Sequence, residues 1–206
     1  MFRAAAAFLA CTIACAASAG APQMVVETNR QSGVAPLAVH FDASPSTGLA
    51  GGDLVGAHFS WGFGDPDSGT WATTGGARNE AIGYQAAHVF EAPGTYIVSV
   101  QVKDASGAED SKTLNIVVGD PELVYAGATR CVSQFGDFSG APPGCSVMTS
   151  ADLAAQGAWL RGAAGRRLLL RRGEVWNGNL DFTNAAQCTL GAFGSGARPI
   201  IRTQTG

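Results

Sequence analysis

The stretch from Tyr96 to Lys103 does most to limit how this chain folds. Tyr96, Val98, Val100 and Val102 alternate there with Ile97, Ser99, Gln101 and Lys103. Successive side chains of a strand point to opposite faces, so the four form one buried row, with Ser99, Gln101 and Lys103 facing water. A helix would scatter the same four around its circumference. The period recurs at Leu37, Val39 and Phe41, at Ala57, Phe59, Trp61 and Phe63, and at Leu114, Ile116 and Val118. Weaker rows run from Met24 to Thr28 and from Gln85 to Glu91. Turn residues separate them, as at Ser44-Pro45-Ser46, Gly51-Gly52-Asp53, Pro93-Gly94 and Ser106-Gly107. The 28 glycines and a charged fraction of only 14% suit a turn-rich β protein better than a helical bundle. Each apolar row needs a second sheet to cover it, so the fold class expected is all-β, a sandwich of about 95 residues.

The N-terminus has the pattern of a signal peptide. Arg3 supplies a positive start, Ala4 to Ala17 a short apolar stretch, and Ala17-Ser18-Ala19 a small-residue cleavage site. The expected mature chain starts at Gly20 and is secreted, extracellular or periplasmic. A lipoprotein signal at Cys11 or Cys15 fits less well, because Phe8 and Thr12 stand where Leu is usual. No other run is long and apolar enough to span a bilayer, so no stable membrane span is expected after cleavage. With 13 basic and 16 acidic residues, the chain lacks the basic footprint of a nucleic-acid binder.

Charge divides the chain. Residues 20–119 hold 4 basic and 10 acidic side chains, and residues 120–206 hold 8 basic and 6 acidic. Gly119-Asp120-Pro121 marks the break, since a residue before proline is driven out of the helical region. The expected organisation is a leader over 1–19, a sandwich domain over 20–119, a linker or loop over 120–148, and a second folded piece over 149–206.

The rows of the first half carry a family pattern. Trp61-Gly62-Phe63-Gly64-Asp65 resembles the WDFGDG core motif of polycystic-kidney-disease (PKD) domains, with Gly62 in place of the first Asp. Gly33-Val34-Ala35-Pro36-Leu37, followed by Val39 and Phe41-Asp42-Ala43-Ser44, is similar to the opening strand of that family. His88-Val89-Phe90 and Pro93-Gly94-Thr95-Tyr96 are similar to its next element. The resemblance covers about Met24 to Val118. It implies an extracellular, immunoglobulin-like sandwich that acts as a spacer or as a protein or carbohydrate contact. In that picture Trp61 and Phe63 belong to the core, and Tyr96 ties a loop to the sandwich. Fold alone does not fix function.

The second half reads differently. Thr149-Ser150-Ala151-Asp152 is expected to cap a short helix ending near Arg161. Leu168-Leu169-Leu170, Val175-Trp176, Cys188-Thr189-Leu190 and Pro199-Ile200-Ile201 are strand pieces. The run from Leu169 to Trp176, then from Gly191 to Ile201, resembles the opening of right-handed parallel β-helix proteins of the pectate-lyase type. The helix would then be a cap and the strands the first rungs. A rung buries its apolar face only against neighbours, so the chain is expected to be the truncated start of such a domain.

Candidate chemistry is sparse. Cys131 and Cys145 bracket a short Gly/Pro-rich loop and are the expected disulfide, worth roughly 3 kcal/mol, with Cys188 left over. His40, His58 and His88 fall on three strands with mixed facing, which argues against zinc. Asp42, Asp65 and Asp67 could offer oxygens to calcium, although Asx turns explain them equally. No Gly-x-Ser-x-Gly occurs, and Gly191 to Gly196 lacks the lysine of a phosphate loop. Asp137, Glu174 and Asp181 show no readable carboxylate pairing. Arg171 and Arg172, beside Arg166-Arg167, could meet a uronate carboxylate, or could guard a strand edge. Trp71, in the insert after Asp65, is the expected exposed sugar platform; Trp159 and Trp176 are expected to pack. The function expected is a non-catalytic module of a secreted protein that meets polysaccharide or a cell-surface protein. The alternatives are a fragment of a polysaccharide lyase or glycoside hydrolase and a surface adhesin.

Overall fold

The computed structural model describes residues 20–52 and 54–203. The expected leader, with Cys11 and Cys15, lies outside the described residues. The chain divides into two compact units. One takes the residues up to Gln31, Ala38–His88 and Tyr96–Ile116; the other takes Ser32–Leu37, Val89–Thr95 and the chain from Val117 onward. The change of unit therefore falls inside a strand, slightly ahead of the break read at Gly119-Asp120-Pro121.

Among the described residues, eight strands build the first half: β1 (Glu27–Thr28), β2 (Ser32–Val34), β3 (Leu37–Asp42), β4 (His58–Gly62), β5 (Glu80–Ile82), β6 (Gln85–Phe90), β7 (Gly94–Lys103) and β8 (Glu109–Gly119). They form a three-stranded sheet in the order β1-β3-β6 and a five-stranded sheet in the order β2-β8-β7-β4-β5. The alternation decides which face is dry. Val39 and Phe41 on β3, Phe59 and Trp61 on β4, Val98, Val100 and Val102 on β7, and Ile116 on β8 are all buried. The Phe41 ring lies 5.6 Å from Trp61 and 5.8 Å from Phe63, so three aromatics fill the centre. The weaker row from Met24 yields only the two residues of β1, whereas Gln85–Phe90 is a full strand with Ala86, His88 and Phe90 buried.

The second half contains α1 (Pro121–Val124), β9 (Thr129–Ser133), β10 (Ser146–Thr149), α2 (Leu153–Arg161), β11 (Arg167–Arg171), β12 (Val175–Asn177), β13 (Thr189–Phe193) and β14 (Ile200–Arg202). Two expectations are corrected here. Residues 120–148 are not a bare linker, since they hold α1, β9 and the start of β10. The strand β9 hides its pattern because Thr129, Cys131, Val132 and Ser133 are all buried, leaving no alternation to read. The cap of α2 is Asp152, whose carboxylate accepts from Ala155 N at 2.9 Å; Thr149 ends β10 instead.

All strand pairings described in this half are parallel. The order is β10-β9-β11-β13, with β12 beside β14. Leu168 and Leu170 pack with Val132 and Trp176, while Leu169 packs on the other side with Cys131 and Phe193. Burial on both sides explains why these leucines run together without alternation.

Candidate functional site

The turn after β4 is set by Gly64. Its φ is +68°, and a Cβ there would stand 2.5 Å from the Ile97 carbonyl oxygen, so only glycine fits. The turn carries Asp65 back under the sheet, where its carboxylate meets His88 Nε2 at 2.9 Å with both side chains buried. The His88 ring stacks on Phe63 at 4.5 Å. Tyr96 is buried beside them. Burial first, then the charges of Asp65 and Asp67, raise its phenol above the ordinary value. This network explains the motif as architecture: Asp65 anchors the interior.

The wet face of the five-stranded sheet is different. Register aligns Ile82, Ser60 and Gln101 in one row across β5, β4 and β7, and Glu80, Gly62 and Ser99 in the next. These side chains point away from the core, since Phe59 and Trp61 alternate with them. Gly62 leaves a gap in the second row, and the two rows line a cleft of about 530 Å³. Ser99 Oγ donates to the Gly62 carbonyl at 3.4 Å, and Gln101 Nε2 donates to Glu109 Oε2 at 3.0 Å. Ile82 is 75% exposed at the edge. Sequence reading places Ser99 and Gln101 on the water face but gives these residues no role, because the chain does not show which wet positions lie side by side. The available signal was small side chains on the wet positions of two adjacent strands.

Trp71 is 55% exposed, as expected. Thr70 bridges Ala77, and Trp71 N donates to Gly76 O at 2.9 Å, so a tight loop holds the indole out. The Arg78 guanidinium lies 5.3 Å from its ring centroid.

Other candidates are not assembled as expected. Asp42 accepts from Ser44 N and Gln85 Nε2, and the Ser44 hydrogen bonds hold its carboxyl below the ordinary range. Asp65 is committed to His88, and Asp67 lies in an exposed turn. Among the described residues, no three His, Cys, Asp or Glu gather to hold a metal, so the calcium triad is not formed. Cys131 and Cys145 are neighbours but stand as free thiols, as does Cys188. Burial foremost, then the hydrogen bond with Cys145, pushes the Cys131 thiol up, disfavouring the thiolate needed to form a bridge. Arg171 is not offered to a ligand. Its Nε and Nη2 reach Asp137 Oδ2 at 2.9 and 2.6 Å, and its side chain is 10% exposed. Arg172 is half-buried and donates to the Gly196 carbonyl at 3.4 Å. Trp176 is buried, but Trp159 is only partly so, with Arg130 and Arg166 at 4.1 and 4.9 Å from its ring centroid.

The Asp137 contact carries a pH dependence. Hydrogen bonds from Ser139, then from Arg171, lower its carboxyl to about 2. A depressed carboxylate stabilises the fold above its unfolded value of about 3.9 and loses that effect as pH falls through the folded value. Protection of the loop around Asp137 is therefore expected to fade between about pH 4 and pH 2. Hydrogen exchange across that range checks it: Asp137→Asn should flatten the profile, and an unchanged profile would remove the role of the pair.

Residues 19–118 match the family profile of the PKD domain. The strands, the core tryptophan and the turn glycine read from the motif lie within that matched segment. Three solved structures are similar to the chain. One concerns carbohydrate-binding modules of the β-sandwich superfamily, with 27% identity, 50% of this chain and 36% of that one covered, and a TM-score of 0.38. The second is the PKD domain of the human VPS10 domain-containing receptor SorCS2, with 17% identity, coverage of 58% and 92%, and a TM-score of 0.35. The third is the PKD domain of an M14-like peptidase from a Thermoplasmatales archaeon, with 20% identity, coverage of 48% and 93%, and a TM-score of 0.28. The chain thus spans little more than a third of the first of these. No curated protein matches it.

Proposed function

We propose that this chain belongs to a secreted polysaccharide-associated protein, with its PKD domain serving as a non-catalytic spacer and contact module. The observation that carries the reading is the PKD match over residues 19–118. PKD domains are typically extracellular, and Ala17-Ser18-Ala19 supplies a matching cleavage site. Trp71, held out by its loop, offers an indole face of the kind that sugar rings stack on. In this reading the sandwich occupies 20–119, and the chain beyond it is the start of a parallel β-helix. The parallel pairing of β9 with β11 and of β11 with β13 supports that second assignment. It also favours a second reading, in which the PKD domain fronts a polysaccharide lyase or glycoside hydrolase of β-helix type.

Retention on insoluble cellulose, xylan and chitin tests the module. The wild type is expected to be retained, and Trp71→Ala to lose several-fold of that retention, on the order of 1 kcal/mol. Passage of the wild type through all three would sink the polysaccharide reading. Equal retention of both proteins would clear Trp71 of any part in it.

A further inference from the structure

We infer that the cleft on the wet face of the five-stranded sheet is a binding site for a neutral oligosaccharide. The inference rests on the polysaccharide reading above and adds a second contact to the one at Trp71. The lining is the first argument. Ser60, Ser99 and Gln101 set two hydroxyls and an amide on one flat surface. Such groups both donate and accept, as the hydroxyls of a sugar do. Glu109 on β8 holds the Gln101 nitrogen, which turns the amide into an oriented group and not a mobile one. At the edge, the exposed Ile82 gives an apolar flank for the C–H face of a ring.

The second argument is shape. Gly62 sits between Glu80 and Ser99 in the ladder, and a Cβ placed on it would come within 3.1 Å of Ser99 Oγ. Any larger residue fills the recess. At about 530 Å³ the cleft lies within the range of small-ligand sites. The third argument is charge. Residues 20–119 carry 4 basic against 10 acidic side chains, and Glu80 lines the cleft itself. That field repels a polyanion and so favours an uncharged chain over an acidic one.

The test is a titration of the full chain with cellohexaose, xylohexaose and chitohexaose, with hexagalacturonate as the anionic comparison, followed by amide chemical shifts. Saturable shifts at residues 58–62, 80–82 and 99–101 with a neutral probe are expected. Gly62→Asp, whose new side chain occupies the recess, should weaken them about tenfold, with the rest of the spectrum unchanged. Ser99→Ala, an exposed substitution, should weaken them less. Shifts confined to Trp71, shifts driven by hexagalacturonate alone, or no shifts with any neutral probe would each overturn the inference. Retention on insoluble polysaccharide without shifts in the cleft would remove the cleft and leave the module reading standing. Loss of both would remove both.

Discussion

Trp61→Ala is expected to cost the sandwich about 3–5 kcal/mol, the range for deleting a large buried aromatic. That is much of the ~5–15 kcal/mol that holds a typical domain together. Trp61 is 3% exposed, its ring packs on Phe41, and its Nε1 donates to the Gly83 carbonyl at 2.7 Å. Truncation therefore opens a cavity between the sheets and strands a carbonyl acceptor at once. Urea unfolding followed by far-UV circular dichroism measures the loss. A change below about 1 kcal/mol would mean that the indole is peripheral, and the account of the core would fail with it.

Asp65→Ala is the second substitution with a large expected effect, about 3 kcal/mol by comparison with other broken buried pairs. It removes the acceptor that meets His88 inside the sandwich, where the imidazole is 4% exposed and stacked on Phe63. Asp65→Asn keeps an oxygen in place and should cost less. The same substitution has an optical signature. Asp65 is one of the charges that raise the Tyr96 phenol, so its removal should bring the Tyr96 ionisation midpoint down. Absorbance titration near alkaline pH reads this once Tyr84 and Tyr125 are replaced by Phe. An unchanged midpoint together with unchanged stability would show that Asp65 does not act in the interior.

These two residues also show how much of the fold was legible in the sequence. Trp61 announces itself because a two-residue period needs only neighbours along the chain to be seen, and the turns between rows limit where strands end. Asp65 was read as a turn residue with a possible metal role. Its partner His88 lies on another strand, and no local pattern links the two. The same limit explains Arg171 and Asp137, which look like a free cation and a lone acid until the parallel strands bring them together. Thr129–Ser133 was missed for a different reason: a strand covered on both faces has no contrast between its sides. The cleft was overlooked because the chain does not show which wet positions lie side by side, and Gly62 drew notice only as a departure from a motif.

Trp61 in the first half and Trp176 in the second are both shielded from water, each in its own core. Shielded indoles emit at shorter wavelength than wet ones, so each part of the chain carries a built-in fluorophore that shifts to the red when that part opens. With Trp71 and Trp159 replaced by Phe as well, removing one of the pair would leave the other to report alone. Whether the two halves melt as one cooperative body or in sequence thus becomes a question for a fluorimeter, with no label attached.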